Sequence, residues 1–132
     1  MKLLLDTQSW LWWFAQPERL SEEAIASIAD ETNELWFSVA SVWEIGIKVA
    51  LGRLPLPEPP DRYIASRMRQ LGVRSLEITA THALQATALP LHHRDPFDRM
   101  LIAQAQIEEM TLVSADSMFS QYDVSILWTA GL

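Results

Sequence analysis

The chain has 132 residues, 49% of them apolar, with 17 acidic against 10 basic side chains and a formal net charge of -7. That apolar share excludes an intrinsically disordered chain, and the absence of cysteine excludes a disulfide framework and any thiolate metal site. The length fits a single domain, residues 1–132, able to bury a core without staples. The acidic balance is the wrong sign for a nucleic-acid binder unless cations sit among the acids.

Lys2-Leu3-Leu4-Leu5 reads as a short buried parallel strand that delivers Asp6 and Thr7 at its C-terminal end. No apolar run is long enough to span a bilayer, and the first residues lack a signal peptide's pattern, so a soluble, cytoplasmic protein is expected. Ser9 to Ala15 is expected to be a short helix ended by Pro17. Its Trp10-Leu11-Trp12-Trp13-Phe14 run is too aromatic for one buried face, which points Trp12, Trp13 or both at another chain. Ser21-Glu22-Glu23 starts a second, amphipathic helix reaching about Glu31.

Leu35 to Val39 is the second strand. Ser38 or Ser41 starts the next helix, which runs to about Leu51 before Gly52, with Glu44 in its first turns and Lys48 four residues on. The proline-rich stretch from Leu54 to Pro60 is a connector within one domain. A helix from Asp61 to Leu71 carries Arg62, Arg67 and Arg69, read as a solvated face. Val73 to Ile78 alternates as a third strand, and Thr79 or Thr81 caps a helix through Ala88.

The segment from His92 to Ala105 follows. Asp95 reads as an N-cap and Pro96 as the first helical residue, which places Asp98 in the first turn, at the end with partial positive charge. That helix reaches about Met110. Thr111 to Ser114 is a fourth strand ended by Ala115-Asp116, Ser117 to Tyr122 makes one or two helical turns, and Val124 to Trp128 is the last strand. Strands alternating with helices predict an α/β three-layer sandwich, a mostly parallel five-stranded sheet with helices on both faces.

Such a sheet gathers its functional residues at the C-terminal ends of its strands. Asp6 and Asp116 follow strands, and Glu44 opens the helix after one. Asp98 reaches the same edge only if the connection after the third strand carries it there. Each acid also has a plain structural role open to it: a turn for Asp6, a solvated pair with Lys48 for Glu44, caps for Asp98 and Asp116. Their joint placement favours a shared site. Crowded carboxylates need compensating cations, and an oxygen-only donor set suits Mg²⁺ or Mn²⁺ rather than Zn²⁺.

With these residues in place the whole chain resembles the PIN domain, and within it the VapC-type ribonuclease toxins of toxin–antitoxin modules. The resemblance rests on Leu3-Leu4-Leu5-Asp6-Thr7, on Ser41-Val42-Trp43-Glu44-Ile45 with Lys48, on Asp95-Pro96-Phe97-Asp98-Arg99 with Ile102-Ala103-Gln104-Ala105, and on Thr111 through Asp116. It implies a metal-dependent RNA endonuclease with Asp6, Glu44 and Asp98 as core acids and Asp116 as the fourth. Asp95 is an additional candidate, with Thr7, Arg99 and Ser114 in support. It also implies a homodimer and a protein antitoxin. The chain departs from the family at one point: many relatives have Asn at the position of Asp116 and an acid three residues later, where this chain has Phe119.

Two other function classes remain for comparison. A non-catalytic PIN-like module binding RNA or protein would be expected to lose acids, and this chain keeps them. A phosphoryl-transfer protein of another family would need a glycine-rich loop or a second Asp two residues after Asp6, and both are missing. Trp10, Trp12, Trp13, Trp36 and Trp43 are expected in the core or an interface. His92 and His93 are expected on a solvated loop.

Overall fold

In the computed structural model, which describes residues 1–129, strand β1 (Lys2–Leu5) lies at the centre of a five-stranded sheet. The last three residues of the expected 1–132 domain lie outside the described residues. β2 (Glu34–Ser38) and β4 (Thr111–Ser114) flank β1. β3 (Arg74–Leu76) extends the sheet beyond β2, and β5 (Ile126–Trp128) extends it beyond β4. All four pairings are parallel, so the expected mostly parallel sheet is wholly parallel.

The leucines of β1 are fully buried because helices cover both faces of the sheet. Alternation along the strand sends Leu4, with Leu112, to the side packed by α5 (Ala80–Ala88) and α6 (Pro96–Glu108). Leu3, Leu5 and Val113 face α1 (Thr7–Ala15), α2 (Glu22–Ala29), α3 (Val39–Ala50) and α4 (Pro60–Leu71). On that second side Trp10 is wholly buried, stacked on Phe37 at 4.5 Å and edge-on to Tyr63 at 5.9 Å.

The strand order β3-β2-β1-β4-β5 reverses between β1 and β4. A crevice therefore opens at the C-terminal edge between these two strands, where the following segments turn to opposite faces. α5 and the loop after it form the step that Asp98 needed. They return the chain so that α6 starts at this same edge.

Element boundaries differ from expectation where a side chain caps earlier than the hydrophobic pattern suggests. α1 begins at Thr7, not Ser9, because Asp6 itself is the N-cap and accepts the Ser9 amide at 2.8 Å. Val39 belongs to α3, since the Ser38 hydroxyl accepts the Ala40 amide and closes β2. β3 and β5 shrink to three residues each, because as edge strands they pair on one side only. Pro17 ends α1 and opens a 3-10 turn over Pro17–Arg19. α2 stops at Ala29, and α6 stops at Glu108 where Glu109 takes a left-handed φ of 56°.

Of the tryptophans expected in the core or an interface, one stands at the surface. Trp43 is not core: it is 62% exposed, its ring edge-to-face with Phe97 at 5.4 Å. It lies one position from the inward-facing Glu44, so the helix turns it about 100° away.

Candidate acidic cleft

The crevice is a cleft of about 370 Å³ lined by Asp6, Glu44, Asp95, Asp98 and Asp116, with Thr7, Gln8 and Lys48. The four acids read from the sequence therefore meet. Asp6 is buried between two elements that fix both of its oxygens. Oδ1 accepts the Ser9 amide at 2.8 Å, and Oδ2 accepts the Ser114 hydroxyl at 2.6 Å. Burial pushes the Asp6 carboxyl above its ordinary range, against the pull of the Ser114 and Ser9 hydrogen bonds and with help from the Asp116 charge.

Glu44 is also buried, on the inward face of α3. Thr7 donates its hydroxyl to Glu44 Oε1 at 2.7 Å, and Lys48 pairs with Oε2 at 2.8 Å. The i, i+4 pair foreseen as a solvated alternative does form, but with its carboxylate inside the cleft and its ammonium half exposed. Thr7 and Ser114 thus each hold one acid, as the resemblance implied.

Asp98 sits at N3 of α6. Its carboxyl is pushed up to about 7, first by burial and then by the neighbouring charge of Asp95, with Glu44 and Asp6 adding and His93 opposing. Asp95 serves as the N-cap, its Oδ1 accepting the amides of Phe97 at 2.8 Å and Asp98 at 3.3 Å. Asp116 caps the 3-10 turn Ser117–Gln121 through the Met118 amide at 2.9 Å. Its other oxygen accepts from His93.

Two expectations are corrected here. His93 is not a solvated loop residue: its Nε2 lies 2.9 Å from Asp98 Oδ2 and 3.1 Å from Asp116 Oδ2. A ring nitrogen therefore stands among the acid oxygens that could hold a cation. The available signal in the sequence was a histidine two residues before an N-cap Asp, which spacing rules do not single out. Arg99 lies outside the cleft. It is buried, and its guanidinium donates to the carbonyls of Ala86 and Leu89 (2.8 Å each), Pro90 (2.9 Å) and His93 (3.1 Å). It ties the α5–α6 loop to the helix instead of facing a substrate.

A consequence is testable. Arg99→Met keeps the apolar stem but takes the side-chain donor from the buried carbonyls of Ala86 and Leu89 and the part-buried one of His93, while Pro90 keeps the Tyr122 hydroxyl, so unfolding in urea should show a loss of about 3 kcal/mol. An unchanged midpoint would mean that water satisfies those carbonyls equally well.

The acids suit a hard divalent cation in donor chemistry, and the raised Asp98 marks negative charge that the described side chains leave uncompensated.

The PIN domain model matches residues 3–125, and the chain belongs to that family. Among curated proteins it is similar to ribonuclease VapC22 of Mycobacterium tuberculosis (strain ATCC 25618 / H37Rv), at 34% identity over 117 residues covering 86% of this chain and 86% of that protein. It is also similar to ribonuclease VapC16 of the same organism, at 38% identity over 74 residues. That match covers 53% of this chain and 52% of the relative, so it spans about half of the relative's length. Among solved structures, VapBC2 from Rickettsia felis bound to a DNA fragment from their promoter superposes with a TM-score of 0.70 at 13% identity, over 98% of this chain and 99% of that one. At that identity the likeness is one of fold.

Proposed function

We propose that this chain, as one domain over residues 1–132, is a divalent-metal-dependent endoribonuclease that hydrolyses RNA phosphodiester bonds and acts as the toxin of a toxin–antitoxin pair. The observation that carries this reading is the convergence of Asp6, Glu44, Asp98 and Asp116 on one cleft at the topological switch point. Asp6, Glu44 and Asp98 are the core ligands of Mg²⁺ or Mn²⁺, Asp116 is the fourth, and Asp95 stands by as a further acid. When bound, the cation supplies an activated water and neutralises charge on the phosphate.

The protein's own groups prepare that cleft. Ser114 and Thr7 fix the oxygens of Asp6 and Glu44, and the rigid start of α6 fixes Asp98. Lys48, half exposed at the rim, is placed to meet an RNA phosphate. The test is RNA cleavage by purified protein. Cleavage should require added Mg²⁺ or Mn²⁺ and stop with chelator. Tight RNA binding without strand scission in metal would favour the non-catalytic module instead.

The antitoxin should lie along α1. A groove of about 230 Å³ runs between α1 and the proline connector, lined by Trp12, Ala15, Leu54, Pro55, Leu56 and Pro57. Gln8 and Leu11 line both this groove and the acidic cleft, so an apolar segment seated in the groove can extend an Arg or Lys onto the acids. Trp12 is half-buried, with Arg19 over its ring at 5.5 Å. Trp13 is half-buried too, packed against the core. Trp12→Ala should weaken antitoxin binding about 30-fold or more by titration calorimetry, with a smaller loss for Trp13→Ala. Unchanged affinity in both variants would place the antitoxin elsewhere.

Self-association as a homodimer is part of the same proposal. The exposed Trp43 on α3 and Leu84 on α5 offer apolar surface on the two helices that pack against α6. Among the described residues no helix is long and apolar enough to cross a membrane, and a cytoplasmic site of action fits an RNA substrate.

A further inference from the structure

The cleft holds one donor that the acid pattern does not include. The nitrogen of His93 and one oxygen each of Asp98 and Asp116 lie within 4.8 Å of one another. A divalent ion with ligand distances near 2.0–2.2 Å can sit between donors so spaced. His93 is held there from several sides. Its amide donates to the Tyr122 hydroxyl at 2.7 Å, and its carbonyl accepts from Arg99 at 3.1 Å. Its ring leans on Phe119 with centroids 5.8 Å apart. The buried Arg99, which also grips the carbonyls of Leu89 and Pro90 in this loop and of Ala86 in α5, thereby serves to present the imidazole.

Phe119 stands three residues after Asp116, and its ring packs against the histidine whose Nε2 meets the Asp116 carboxylate. We propose that His93 is a direct nitrogen ligand of the metal in this protein, through Nε2 and together with Asp98 and Asp116. The site is then of mixed nitrogen and oxygen character, and it favours Mn²⁺ and later transition metals over Mg²⁺. This rests on the reading of the cleft as a metal site. Imidazole nitrogen suits transition ions, while Mg²⁺ holds to oxygen donors and its own waters.

Coordination has one local cost. The Asp95 amide now approaches His93 Nδ1 at 3.3 Å, which makes Nδ1 the acceptor and puts the ring proton on Nε2. Binding a cation at Nε2 moves that proton to Nδ1, so this long contact must open.

The decisive measurement is pulsed electron paramagnetic resonance of Mn²⁺ bound to the full-length protein. A directly bound imidazole gives a ¹⁴N modulation. It should be present in wild type and absent in His93→Gln. In calorimetric titration His93→Gln should lower Mn²⁺ affinity at least about tenfold, since losing even a ligand's supporting partner costs that much, and should change Mg²⁺ affinity less. Mn²⁺ that binds without ¹⁴N modulation in wild type would overturn the nitrogen ligand while leaving the acid site standing. Mn²⁺ that does not bind wild type at all, or binds Asp6→Asn and Asp98→Asn equally well, would overturn both. The wild-type spectrum decides the matter even if the variant folds poorly.

Discussion

Asp98→Asn should lower RNA cleavage by at least about a hundredfold, the scale expected for removing one preorganised electrostatic group from a reacting site. The substitution keeps the shape of the side chain and its place at the start of α6. It removes the charge whose cost is visible in a carboxyl pushed up to about 7 by burial and by Asp95, Glu44 and Asp6. The metal-free variant should therefore melt at the same temperature as wild type or higher, while activity is lost. That opposition separates a functional acid from a merely capping one, because the cap of α6 is supplied by Asp95. Asp6→Asn should be equally inactive. There the Oδ1 contact to the Ser9 amide survives, and the Ser114 hydroxyl can turn to accept from the new amide. Asp116→Ala should lose less, since that residue stands at the rim, more than a third exposed. Full activity of purified Asp98→Asn in excess Mg²⁺ would remove it from the site.

The fold was legible because its core is written in short apolar strands. Lys2 to Leu5 and Thr111 to Ser114 read correctly to the residue, since both are inner strands whose last three residues are buried. The edge strands read too long because the apolar pattern continues beyond the paired residues, at both ends of β3 and before the start of β5. The acids were legible by their places after strands and at helix starts, rules that do not depend on tertiary detail. Trp43, His93 and Arg99 were not. For Trp43 the helical stride decides between the two places expected of it, and it takes the surface rather than the core. For His93 and Arg99 the deciding feature is the path of the 89–95 loop. Arg99 beside Asp98 in sequence suggests a shared site, yet adjacent helix positions point about 100° apart, and its partners are carbonyls that no sequence pattern exposes.

Stability of the metal-free protein should fall as pH rises, and divalent metal should restore it. The unfolded Asp98 titrates near 3.8 and the folded one at about 7, so between those values the folded chain holds the extra proton. Unfolding then releases that proton, and raising the pH favours unfolding across this window, with no further change from Asp98 above it. A tenfold difference in proton affinity between the folded and unfolded chain is worth about 1.4 kcal/mol, so the drop from Asp98 alone amounts to a few kcal/mol. Asp6, raised in the same direction by burial, adds to it. A cation replaces the proton as the neutralising charge. Its effect should be largest at pH 8, where Asp98 is ionised, and small at pH 5, where the proton competes. At a hundredfold excess over Kd the gain is about 2.7 kcal/mol, roughly 8 °C in melting temperature for a domain of this size. Melting curves from pH 4.5 to 8, with and without Mn²⁺, measure both effects, and Asp98→Asn should flatten the metal-free profile. A metal-free melting temperature that is level across this range, or a metal effect equal at pH 5 and pH 8, would show that the cleft does not hold the strained acid charge on which its metal affinity depends.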